Sequence, residues 1–112
     1  KLDNGSTLIT GVLVVRSAFA EEHPAEVATF LEEYKASTEF ANNSVTEAAQ
    51  LVEKYDIVKA AIAEKAMPFC NITFVAGADM EAPMNGYLQT LFDQNPKAVG
   101  GAMPDSAFYY VG

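Results

Sequence analysis

Two residue pairs combine polar groups that could face a ligand. Thr10-Gly11 interrupts the apolar run Leu8-Ile9-Thr10-Gly11-Val12-Leu13-Val14-Val15. A hydroxyl and a backbone without a side chain can face a cleft there, as polar groups at strand ends do in open α/β sheets. The competing reading is a buried threonine bonded to its neighbours. Cys70-Asn71 follows Pro68 at the start of a second apolar stretch. A thiol and an amide can fix a ligand's orientation, and the competing reading is a packed thiol beside a turn-forming asparagine. Arg16, the single arginine, ends the first run and suits either an anionic solute or an ion pair with Glu21 or Glu22. Tyr109-Tyr110 could stack on a ligand or pack on neighbouring protein. Met80 and Met84 fall on an apolar helix stripe, where methionine serves a core or an adaptable binding surface.

None of these sets performs bond chemistry. The one histidine, His23, precedes Pro24 at a helix start, and the one cysteine excludes an internal disulfide and a cysteine-rich metal site. A histidine-based triad or a metal centre needs partners that are not visible. The sequence therefore predicts no enzyme, no catalytic residue, no metal and no cofactor.

Composition narrows the partners. The net charge of −8 argues against nucleic acid, which needs a basic surface, and against an anionic membrane surface. The acids are spread along helices, as on a solvated face. No apolar run is long enough to span a bilayer, and no signal peptide is evident, since Lys1 is followed at once by polar residues. The 112 residues suit one small domain. Half are hydrophobic, but eighteen of those are alanine, which buries little area.

The positions of the candidate groups depend on the elements around them. Leu8 to Val15 is apolar on consecutive residues and rich in β-branched side chains, the pattern of a strand covered on both faces. A second strand is expected over Asn71 to Val75. Two strands do not make an independently stable sheet. The chain then reads as a piece of a larger protein, or as one that borrows strands from another copy. Ser17 can cap a short turn over Ala18 to Glu22. Pro24 opens an amphipathic helix carrying Val27, Phe30, Leu31, Tyr34, Thr38 and Ala41 on one face. Ser44-Val45-Thr46-Glu47 reads as a capping box before a helix carrying Ala48, Leu51, Val52 and Tyr55. A shorter helix runs to Met67, stopped by Pro68. The last helix follows Gly77 and carries Met80, Met84, Tyr87, Leu88, Leu91 and Phe92, ending at Asn95-Pro96. The spacing predicts helices near 24–42, 45–55, 58–67 and 79–95, with strand confined to 8–16 and 70–76.

In their order these segments resemble the late part of bacterial ABC-transporter substrate-binding proteins, nearest the nitrate/sulfonate/taurine and thiamine-precursor binding group. The resemblance rests on Gly11-Val12-Leu13-Val14-Val15-Arg16, then Phe19-Ala20-Glu21-Glu22-His23-Pro24, then Val27 to Tyr34. It continues through Glu47-Ala48-Ala49, Met67-Pro68-Phe69-Cys70-Asn71-Ile72, Gly100-Gly101-Ala102-Met103-Pro104-Asp105 and Phe108-Tyr109-Tyr110. It implies an α/β parent fold of the type II periplasmic binding class. Residues 1–112 would form its C-terminal segment, mostly α-helical with one or two strands. It also implies an extracytoplasmic protein, periplasmic or lipid-anchored, that captures a small organic or anionic solute between two lobes and delivers it to an ABC permease. A complete receptor of this kind has roughly three times this length, and the isolated segment, with the edges and faces of its strand uncovered, is expected to self-associate. A ligand-sensing domain of a signalling protein with the same fold and a helical interaction module are the other readings. The synthase activity found on the same fold is tied to a histidine and cysteine cluster that this chain does not show.

Overall fold

The computed structural model describes residues 5–112. Five α-helices follow one another: α1 (Ser17–Glu22), α2 (Pro24–Asn43), α3 (Val45–Lys54), α4 (Ala60–Ala66) and α5 (Ala78–Gln94). Three 3₁₀ turns lie at Met67–Phe69, Pro96–Val99 and Ser106–Phe108. Among the described residues there is no strand and no sheet. The α/β fold of the periplasmic binding class expected from the sequence is therefore corrected: the described chain is all-helical.

The physical reason differs between the two expected strands. A strand exists only where a second backbone supplies its hydrogen bonds, and residues 8–16 pair with none to make a ladder. In 70–76 the local backbone forbids extension. Asn71 takes a left-handed conformation at φ 52°, and the Ile72 carbonyl accepts a hydrogen bond from the Asn42 amide at 2.9 Å. The segment is thereby tied to α2 as a loop.

The chain divides into two compact units. The first spans Ala20–Phe74. In it α3 packs against α4 and against α2, and the Met67–Phe69 turn touches all three helices. Pro24 sits in the first turn of α2, where its missing N–H costs nothing. Ser44 ends α2, donating its N–H to the Phe40 carbonyl at 2.8 Å, and begins α3. The capping box is not formed, since the Ser44 side chain makes no cap hydrogen bond. The Thr46 hydroxyl instead donates to Glu64 Oε1 of α4 at 2.8 Å. A cap the sequence pattern did not reveal starts α4: Glu53 Oε2 accepts the Ala60 N–H at 2.8 Å, placing a carboxylate at the helix N-terminus. Between α3 and α4 the Asp56 N–H donates to the Glu53 carbonyl and the Ile57 N–H to the Val52 carbonyl, with Asp56 at φ 56°. That is a Schellman termination with aspartate at the left-handed position.

The second unit joins the described residues up to Phe19 with Val75–Gly112. Gly77 begins α5 at φ 65° and ψ −147°, a conformation open to glycine alone. The Pro96–Val99 turn folds back onto α5, opened by the Asn95 side chain accepting the Lys97 N–H at 3.2 Å and closed by left-handed Gly100. Asp105 accepts the Ala107 N–H at 3.0 Å and starts the last turn, after which Tyr109 is buried.

Among the described residues the buried hydrophobic ones are Val27, Ala48, Ala49, Ala63 and Tyr109, and no large side chain is fully enclosed. The helix stripes are thus only half covered. On α2, Leu31, Thr38 and Ala41 are half-buried while Phe30 and Tyr34 are exposed.

Candidate functional site

Thr10 and Gly11 lie in the segment between Gly5 and Arg16, which forms neither helix nor strand. Both are exposed, and a Cβ added at Gly11 would meet nothing within 4 Å. The reading of Thr10 as a buried, satisfied hydroxyl does not hold. The apolar residues beside it are open as well. Leu8 is 82 %, Val12 63 % and Val14 81 % exposed, against 53 % for Leu13 and 42 % for Val15, with Ile9 partly buried. From Val12 to Val15 exposure alternates with a period of two, the periodicity of extended backbone. One face, Leu8, Val12 and Val14, is offered to solvent more fully than the other.

Cys70 and Asn71 lie in the Ala20–Phe74 unit. The thiol is exposed and donates to the Ala66 carbonyl at 3.3 Å. The Asn71 carbonyl accepts from the Thr73 hydroxyl at 3.0 Å, and its backbone is the left-handed turn already described. Asparagine is the residue outside glycine best suited to that conformation, so Asn71 has a local structural role here. The two candidate pairs therefore belong to different units, each on an open surface.

The remaining candidates separate in the same way. Arg16 is exposed and, among the described residues, forms no ion pair with Glu21 or Glu22. His23 Nδ1 lies 3.5 Å from Glu26 Oε1 across one helical turn. Met80 and Met84 are half-buried on α5. Tyr109 is buried with its hydroxyl unpartnered. Its pKa is raised above 10.0, first by burial and then by the nearby Glu81 carboxylate. Tyr109 packs edge-on against Phe108 with ring centroids 5.3 Å apart.

One shallow depression among the described residues was not anticipated from the sequence. Ala25, Glu26, Thr29, Phe30 and Glu33 line an open hollow of about 390 Å³ along α2. Phe30 stacks on Tyr34 at 5.9 Å, and Tyr34 meets Phe74 at 6.0 Å. The acid–aromatic alternation of α2 was the available signal. All the lining comes from one helix, so the hollow lacks the convergent walls of a solute pocket. Among the described residues no group of three or more His, Cys, Asp or Glu side chains is placed to hold a metal ion, and no helix is long and apolar enough to cross a membrane. No family model, curated protein or solved structure matches the chain.

Proposed function

We propose that the chain is the helical portion of the extracytoplasmic solute-binding component of an ABC importer, which captures a small organic or anionic solute and passes it to the permease. The observation that carries this reading is the segment Leu8 to Val15: apolar, uncharged, exposed, and spaced as extended backbone. Soluble proteins rarely leave so continuous an apolar surface open unless something covers it. The ordered resemblance of the segments along the chain names the kind of protein that would. In that setting the Thr10 hydroxyl and the Gly11 backbone contribute to one wall of a cleft. Further polypeptide supplies the other wall. Binding is then closure of two lobes around the solute, with the closed state selected because the solute touches both. No covalent step is involved.

A second reading, a helical interaction module, draws on a different observation: the exposed aromatic rings of Phe30 and Tyr34 on a chain that is helical throughout its regular structure. One experiment separates the two. Thermal melting of the longer protein that contains this chain is followed with taurine, nitrate and a hydroxymethylpyrimidine. A ligand bound only by the native state raises the midpoint, by about 2.7 kcal/mol of stability at a hundred times its Kd. A rise with one of these classes supports the receptor. The absence of any rise across the three favours the interaction module.

A further inference from the structure

The segment that carries the receptor reading also determines how the 112-residue chain behaves by itself. From Gly5 to Val15 there is no charged residue, although the chain carries −8 overall. Two copies that meet along this segment bring no acidic side chain of it together. The more exposed face of the segment is Leu8, Val12 and Val14. We propose that this segment is covered by the same segment of a second copy, paired antiparallel about a two-fold axis at Gly11.

The register follows from the faces. Antiparallel neighbours directly opposite each other point to the same side of a ribbon. Keeping the open faces together sets Leu8 opposite Val14 and Thr10 opposite Val12, with Gly11 opposite Gly11. A slip of one residue would turn the open face of one copy to the opposite side of the ribbon from its partner's. The closed two-fold arrangement satisfies both copies equally. Five exposed Leu and Val side chains per copy, at about 60–120 Å² each, set a ceiling of about 600–1,200 Å² across the pair. Because a ribbon leaves part of each face in water, the buried area falls below the range of specific interfaces, which begins near 1,200 Å². The dimer is therefore weak and salt-strengthened, because screening relieves the repulsion between two chains of charge −8.

The proposal shares with the receptor reading the open segment Leu8 to Val15, but its test concerns the 112-residue chain without any solute, so a chain that dimerises while the longer protein binds no solute overturns only the receptor reading. Sedimentation equilibrium of that chain at high micromolar concentration is the first measurement. A dimer is expected, with tighter association at 0.5 M than at 0.05 M NaCl. Paired substitutions Val12→Lys and Val14→Lys should return it to monomer. Both positions lie outside the helices, and helical circular dichroism reports whether the variant is folded. Register is tested in a Cys70→Ser background, which removes the only native thiol. Gly11→Cys has open space around its new side chain and should form a disulfide-linked dimer under mild oxidation. Val12→Cys, whose counterpart would sit diagonally across the pair, should link at least tenfold more slowly. A monomeric parent chain, a dimer that survives the two lysines, or faster linking at position 12 than at position 11 would each overturn the proposal.

Discussion

A phenol hydroxyl buried without a partner costs the fold the full desolvation of that group, about 1–3 kcal/mol. Tyr109 is in that position. Removing the oxygen while keeping the ring retains its edge-on contact with Phe108. Tyr109→Phe is therefore expected to raise stability by about 1 kcal/mol, read as a higher urea midpoint at neutral pH. The same residue sets an alkaline limit. Its pKa is raised in the folded chain, by burial first and by Glu81 second. The unfolded chain then loses the proton at lower pH than the folded one, so the contribution is fully present below pH 10 and is lost as pH rises through the folded value. Midpoints measured from pH 9 to pH 11.5 should fall for the parent. They should fall less for Tyr109→Phe, and Glu81→Gln should shift only the smaller part of the effect. No property of the sequence around Phe108-Tyr109-Tyr110 revealed this. A cluster of rings declares burial or stacking, not which hydroxyl will lack an acceptor.

Helix termini in this chain depend on two backbone positions of opposite suitability. Gly77 occupies a conformation that other residues enter only under strain of about 1–3 kcal/mol. Gly77→Ala should cost that much and fray the start of α5. Asp56 is the reverse case, an ordinary residue held at φ 56°. Asp56→Gly should stabilise the α3–α4 junction by about 1 kcal/mol, the penalty a left-handed L-residue carries. Thermal midpoints of both variants check the pair, and the two changes should have opposite signs. The helices themselves were legible. Pro24, the stripe from Val27 to Ala41, Pro68 and Asn95-Pro96 mark four of them to within two residues of their observed ends. The junction at Asp56 was not legible, because the Schellman hydrogen bonds depend on backbone geometry that aspartate does not advertise. The expected strands failed for a related reason. A run such as Leu8 to Val15 records that its side chains are to be covered, but not which backbone will pair with it. In the second stretch, turn formation at Asn71 overrode the β-branched pattern. Of the candidate site, Thr10 and Gly11 were expected in a strand covered on both faces but lie exposed in a segment that forms none, and their separation from Cys70 and Asn71 into another unit depends on tertiary contacts that sequence spacing does not encode.

At the scale of the whole chain the deficit is in the core. Two independent bodies of half this length would together expose about 7,200 Å²; the chain exposes 8488 Å². Among the described residues the buried hydrophobic ones are three alanines, one valine and one tyrosine. Alanine burial contributes little, while each Leu, Val or Phe left open forgoes about 1.5–3 kcal/mol. Unfolding therefore uncovers less new surface than is usual for a chain of this length. Because the urea slope scales with that surface, it should fall below about 1 kcal/mol/M. The exposed apolar side chains should also bind the hydrophobic dye ANS at neutral pH. If a second copy covers Leu8 to Val15, the transition acquires a dependence that a monomer cannot have. Folding is then linked to association, and a tenfold rise in concentration adds at most about 1.4 kcal/mol, reached only where the folded chain is fully dimeric. Urea titrations of the parent at about 50 and about 500 µM should show this displacement, with dye binding weaker at the higher concentration. The Val12→Lys, Val14→Lys variant should lose the displacement but keep its helical signal. A parent with a steep, concentration-independent transition and no dye binding would mean that the chain covers its own apolar surface in solution. The open segment at Leu8 to Val15 could then no longer be the basis of either proposal.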